Sequence, residues 1–141
     1  MPFVKILIHA VWATKDRKNI LSTANKNQLC EHISEYAKTK DIHLININGH
    51  QNHLHSFFTM SAVQSIATIM NLIKGESSHW ANKNLILPEK FEWQDEYFAV
   101  SVGQSQFNIV NNYINNQEEH HRKKSFQEEC DEFFRDYNFD E

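Results

Sequence analysis

The order of apolar periodicities along the chain predicts an α+β fold: a ferredoxin-like split βαβ (RRM-like) antiparallel sheet with an added C-terminal tyrosine-bearing helix and a helical tail. Two observations predict it. Up to Gly103, alternating and helical patterns succeed one another as strand, helix, strand, strand, helix, strand. The bulk composition, 141 residues with 40% hydrophobic and 12% aromatic content, supplies enough apolar surface for one buried core.

Each element has a local reason. From Phe3 to Trp12, Val4, Ile6, Ile8 and Ala10 alternate with Phe3, Lys5, Leu7 and His9, the pattern of a strand with two distinct faces. From Ser22 to about Lys40, Leu29, Ile33, Tyr36 and Ala37 recur at helical spacing among charged residues. Ile42 to Asn48 reads as a short second strand, Asn48-Gly49 as a turn, and His53 to Met60 as a third strand completing a hairpin. Ser61 followed by Gln64 fits a capping box, with Val63, Ile66, Ile69, Met70 and Ile73 continuing as an amphipathic helix toward Trp80. Tyr97 to Val102 is a fourth strand ended by Gly103, and Phe107, Val110 and Ile114 mark a helix running to about Arg122. Phe126, Cys130, Phe133, Phe134 and Tyr137 place a last helix in the tail, giving one domain over 1–141 with a core at 1–124 and an acidic helical tail at 125–141.

Charge is unevenly distributed. The net charge is -4, of which the last fourteen residues carry -6, leaving +2 on the rest. A mildly basic body permits phosphate contacts, with Lys15, Arg17, Lys18 and Lys74 as candidates. Trp12, Trp80 and Trp93 could stack on unpaired bases, although at least two of them are expected in the core. No apolar run approaches the length of a membrane span, and the apolar start, broken by Lys5 and His9, reads as a strand rather than a signal peptide. Cys30 and Cys130 lack metal-ligand spacing, so a cytoplasmic protein with two structural, reduced thiols is expected.

Two constellations could carry chemistry. His53 and His55, two apart on a strand, project to one face while Leu54 enters the core. Paired neutral imidazoles on rigid backbone make half of a divalent-metal site. Tyr113 and Gln117, four apart, share one face of the predicted helix. A phenol can act as a nucleophile, and an amide oxygen can complete a metal sphere without adding charge. His9 reaches the same face as the motif histidines if the strands align, and His121, one turn past Gln117, is a further candidate to line the site. His50 and His120 read as solvent-facing or as a dimer surface. Taken alone, the histidine pair reads as polar surface ahead of a metal site, and the tyrosine–glutamine pair as ordinary helix packing and a solvent-facing amide.

The segments "HAVWATKDRK", "NGHQNHLH", "LIKGESSHW", "FEWQDEYFAVSV" and "YINNQEEHH" occur in that order over nearly the whole chain. In this order and spacing they resemble the single-tyrosine HUH transposases of the smallest bacterial insertion sequences, the IS200-like kind. The resemblance implies His53, His55 and Gln117 as ligands of magnesium or manganese and Tyr113 as nucleophile. It further implies a prokaryotic cytoplasmic homodimer acting on single-stranded DNA with hairpins through a 5'-phosphotyrosine, with no nucleotide cofactor. One departure is Asn52, where relatives often carry an acidic residue before the first motif histidine. The alternatives are a domesticated or inactive relative that only binds hairpin or single-stranded nucleic acid, an RRM-type binding module, and a structural zinc on His50, His53, His55 and His120 or His121. The two histidines standing where stacking aromatics would be expected count against the RRM module, and the absence of nearby cysteine ligands counts against zinc.

Overall fold

In the computed structural model, which describes residues 2–137 and Phe139, the chain forms β1 (Ile6–Ala13), α1 (Thr23–Thr39), β2 (His43–His50), β3 (His53–Met60), α2 (Ile66–Asn84), β4 (Phe98–Val102), α3 (Phe107–Asn115), α4 (Gln117–His120) and α5 (Phe126–Tyr137). The four strands make one antiparallel sheet in the order β2-β3-β1-β4, so β1 and β3 occupy its centre as the split βαβ pattern requires. Asp140 and Glu141 of the expected tail lie outside the described residues.

Period-two alternation divides the sheet into two chemically different faces. Ile8, Ala10 and Trp12 of β1 and Leu54 and Phe58 of β3 meet Leu29, Ile33 and Ala37 of α1 and Ile69, Met70 and Ile73 of α2, forming the main core. The other face carries Leu7, His9, Val11, Ala13, His53, His55 and Phe57. The β1/β3 register places Val11 opposite His55 and Ala13 opposite His53. Three C-terminal helices cover this face. Around Leu7 and Phe57, α3 packs Ile114, Val110 and Phe107, and around Val11 and Ala13, α5 packs Phe126, Cys130 and Phe133.

Several sequence expectations are corrected here. Residues Phe3 to Lys5 are not in the first strand, because β3 reaches only as far as Ile6 and leaves them without a ladder partner. Asn48-Gly49 is not the hairpin turn. Both stay in β2, Gly49 opposite Leu54, and the chain reverses at Gln51-Asn52. The glycine serves close approach instead: a Cβ there would lie 2.1 Å from the His53 carbonyl oxygen. Leu21 N–H to the Gln51 carbonyl (3.0 Å) and Thr14 N–H to the Asn52 carbonyl (2.8 Å) anchor the turn. The second helix starts later than the capping-box reading predicts, because Ser65 accepts from Thr68 N–H and is the true cap. Ser61 and Gln64 do interact, Ser61 N–H donating to Gln64 Oε1 at 2.9 Å, but they close a turn in which Val63 is exposed.

Candidate metal and tyrosine site

The helix expected to run from Phe107 to Arg122 is broken. It stops at Asn115, Asn116 has non-helical backbone angles (φ -99°, ψ 22°), and α4 restarts at Gln117. The cause is remote in sequence. Asn46 and Asn48 of β2 donate to the last carbonyls of α3, with Asn48 Nδ2 2.9 Å from the Ile114 oxygen, and so satisfy groups that would otherwise continue the ladder. Lys26, almost fully buried, bonds Asn48 Oδ1 (2.7 Å) and Glu118 (3.3 Å), and His50 Nδ1 lies 3.0 Å from Glu118. Tyr113 and Gln117 therefore sit on two short helices, each fixed against β2.

This geometry brings together most of the residues singled out in the sequence. His53, His55 and Gln117 are fully buried. His53 Nε2 is 3.1 Å from Gln117 Oε1, His9 Nε2 is 2.9 Å from His55 Nδ1, and His121 Nε2 is 3.1 Å from Gln117 Oε1. The Tyr113 ring meets His55 edge-on at 5.5 Å between centroids. His120, expected at the surface, instead places Nε2 3.4 Å from the Tyr113 hydroxyl, and His50 stacks on His121.

The sequence reading missed Glu129. It is 1% exposed and lies at the centre of the cluster. Oε1 is 3.3 Å from His53 Nε2, 3.1 Å from His55 Nε2 and 3.4 Å from His121 Nε2. Oε2 accepts from Gln117 Nε2 (3.3 Å) and from the Tyr113 hydroxyl. A signal was present in the chain: Phe126, Glu129, Cys130 and Phe133 follow the helical stripe by which α5 buries itself, so one carboxylate stands in an apolar row.

Hydrogen bonding shows what the cluster lacks. Asn52 Nδ2 donates to the Arg17 carbonyl (3.2 Å), turning Oδ1 toward His53 Nδ1 at 2.8 Å. Neutral His53 then carries its proton on Nδ1 and points the Nε2 lone pair at two oxygens, Gln117 Oε1 and Glu129 Oε1. Acceptors facing acceptors in a dry site call for a proton or a cation between them. Burial disfavours the proton, lowering His53 to about 4 against the opposing pull of Glu129. Single ligand atoms of His53, His55 and Glu129 all lie within 4.8 Å of one another, so the residues fit a divalent ion. Asn52 takes the orienting place of the missing carboxylate, as an amide.

Burial, with a smaller contribution from His55, lowers His9 to about 3. The Tyr113 hydroxyl is raised above the usual phenol range, by burial first and by the charge of Glu129 second. For Glu129, burial alone acts upward, but the surrounding imidazoles of His121, His53 and His55 outweigh it and hold the carboxyl below the usual range. These shifts predict acid lability. His9 and His53 ionise near 6.5 when unfolded and far lower when folded, so below pH 6.5 the unfolded chain binds protons the folded chain refuses. Each group removes about 1.4 kcal/mol of stability per pH unit until its folded value is reached, and Glu129 acts in the same direction below its unfolded value. The urea midpoint of metal-free protein is expected to fall progressively from about pH 6.5 to 4.5; a flat midpoint across that range contradicts it.

The four candidate DNA-binding cations all have partners within the chain. Lys15 pairs with Glu92 at 3.4 Å and Lys18 with Glu89 at 2.7 Å. Arg17 donates to Gln127 Oε1 and lies 5.1 Å over the Phe126 ring, while Lys74 donates to the Asp95 carbonyl at 2.9 Å. Trp12 and Trp93 are core residues, and Trp80 stacks on His32 at 4.2 Å. A cavity of about 570 Å³ adjoins the site, walled by Tyr97, Phe98, Phe126 and Phe134, with Arg17 among its lining residues. Cys30 and Cys130 are buried free thiols, pushed up to about 12 and about 11 by burial. Among the described residues no helix is long and apolar enough to cross a membrane.

The split βαβ sheet presents two histidines to a tyrosine-bearing helix. The IS200-like transposase family model matches residues 3–117, most of the chain, and the protein belongs to that family. No protein with a curated description matches it. Among solved structures it is similar to a Deinococcus radiodurans protein described as a transposase, with a TM-score of 0.67 at 20% identity over 82% of this chain and 93% of that one. It is also similar to a REP-associated tyrosine transposase solved bound to a REP hairpin, with a TM-score of 0.64 at 14% identity over 86% of this chain and 72% of that one. At such identities these two structures speak for the fold, and the four-stranded α+β architecture agrees with theirs.

Proposed function

We propose that this transposase cleaves and rejoins single-stranded DNA at hairpin-bearing ends, with Tyr113 as nucleophile and magnesium or manganese held by His53, His55 and Gln117. One observation carries the reading: the buried lone pair of His53 and the Gln117 oxygen meet with no donor between them, in the same cluster as the Tyr113 phenol. When bound, a divalent ion supplies positive charge for the phosphate oxygens. The chain's own residues do the rest. Asn52 and His9 set the orientation of the two imidazoles through their Nδ1 atoms. Tyr113 Oη forms a bond to phosphorus as the bond to the 3'-oxygen breaks, and the 3'-oxygen gains a proton as the phenol loses one. The resulting 5'-phosphotyrosine preserves the bond energy, so a second 3'-hydroxyl can reverse the step without a nucleotide cofactor.

Tyr113 already lies beside His55 of its own chain, which supports cleavage in cis. The homodimer implied by the resemblance is part of the proposal but is not required to bring the phenol to the metal ligands. Lys15, Arg17, Lys18 and Lys74 would exchange their present partners for phosphates, a small loss where the pairs are solvent-exposed, as for Lys15 and Lys18. The aromatic cavity beside Arg17 offers walls for unpaired bases, each stacking contact worth roughly 1 to 3 kcal/mol.

The test is incubation with a labelled single-stranded oligonucleotide carrying a hairpin and its flanks, with and without Mn²⁺. Metal-dependent nicking with a denaturation-resistant protein–DNA adduct is the expected result. Cleavage without an adduct removes the tyrosine role, and binding without cleavage leaves a nucleic-acid binding module.

A further inference from the structure

We propose that Glu129 is itself a ligand of the divalent ion, supplied by the tail helix, so that binding the ion and seating α5 over the sheet are a single event. The inference rests on the metal reading above and extends it to a residue outside the constellation of two histidines and a glutamine.

Position comes first. Five of the seven acidic residues after Lys124 occupy other faces of α5 or lie beyond it, and Glu132 pairs with Lys124 at the helix flank. Among the described residues only Glu129 stands in the row with Phe126, Cys130 and Phe133 that packs against the sheet. A carboxylate buried in an apolar row destabilises the fold unless it is compensated. His121 offers compensation only when doubly protonated: its Nδ1–H donates to the Lys124 carbonyl (2.8 Å), so its Nε2, 3.4 Å from Glu129 Oε1, donates there only as an imidazolium. That pairing leaves the confrontation with His53 unresolved. The Nε2 lone pair, fixed by Asn52 on the far side of the ring, still points at Glu129 Oε1 from 3.3 Å. A cation shared by His53, His55, Gln117 and Glu129 Oε1 turns every one of these contacts attractive.

Ligation by Oε1 leaves Oε2 free, and Oε2 is the atom that accepts from Tyr113 and Gln117. One side chain would thus bridge the ion and the resting phenol. The same helix stacks Phe126 on His53 at 4.0 Å and sets Phe133 edge-on to His9 at 5.9 Å, so losing the ligand loosens the roof of the whole site.

Mn²⁺ binding to the full chain, followed by the EPR signal of the free ion, tests this for wild type, Glu129→Gln and the double variant His53→Ala/His55→Ala. Glu129→Gln keeps the side chain's size and is expected to weaken Mn²⁺ binding at least about ten-fold. A second readout is trypsin cleavage after Arg122, Lys123 or Lys124, between α4 and α5. Saturating Mn²⁺ is expected to slow that cleavage in wild type and to leave it unchanged in Glu129→Gln. Equal affinity in Glu129→Gln and wild type, with equal protection from trypsin, overturns the assignment and reduces Glu129 to a partner of His121. If the double histidine variant binds Mn²⁺ as wild type does, the ion is elsewhere and the metal reading itself fails. If it has lost binding while Glu129→Gln has not, only the Glu129 assignment fails.

Discussion

Tyr113→Phe is expected to abolish both nicking and adduct formation, lowering cleavage by roughly 10³-fold or more, as loss of an attacking group does. The substitution removes one oxygen and little else. The ring meets His9 and His55 edge-on and stays packed, so the proposed metal ligands keep their places. The lost hydroxyl had been donating to Glu129 Oε2, which retains Gln117 Nε2 as a donor at 3.3 Å. Mn²⁺ affinity should therefore stay near the wild-type value while chemistry disappears. Wild-type cleavage by the phenylalanine variant would show that another group attacks phosphorus.

Gly49→Ala is expected to destabilise the fold by about 3 kcal/mol or more and to weaken Mn²⁺ binding with it. The new Cβ would stand 2.1 Å from the His53 carbonyl oxygen and 2.9 Å from the Leu54 Cα. Both are backbone atoms, which cannot rotate away as a side-chain end can. Relief requires β2 and β3 to separate at His53, the first of the proposed metal ligands. Urea denaturation gives the stability change, and Mn²⁺ titration at a denaturant-free pH of 7.5 gives the second effect. A variant as stable as wild type would mean the hairpin accommodates a side chain that this geometry excludes.

The glycine also shows where sequence reasoning stopped. Asn48-Gly49 matches a turn signal, but the chain reverses at Gln51-Asn52 and the glycine serves close backbone approach instead. Turn position depends on which residues find ladder partners, here Gly49 opposite Leu54 and His50 opposite His53. The capping box at Ser61 and Gln64 erred similarly. Its side-chain contact forms, yet Ser65, four residues further along the chain, offers a cap in line with α2 and wins.

What the sequence by itself determined was whatever follows from short-range periodicity. It set the order of strands and helices, the split βαβ topology, the projection of His53 and His55 from one side of a strand, and the nearness of Tyr113 to Gln117. Tertiary structure alone decided which groups share a volume. The break at Asn116 depends on asparagines of β2, the tautomer of His53 on an amide held by Arg17, and the presence of Glu129 at the site on a helix 74 residues beyond His55. The physical reason is range: backbone geometry acts between near neighbours, whereas burial and charge act between whatever packing brings within a few ångströms, and residue order does not record those meetings.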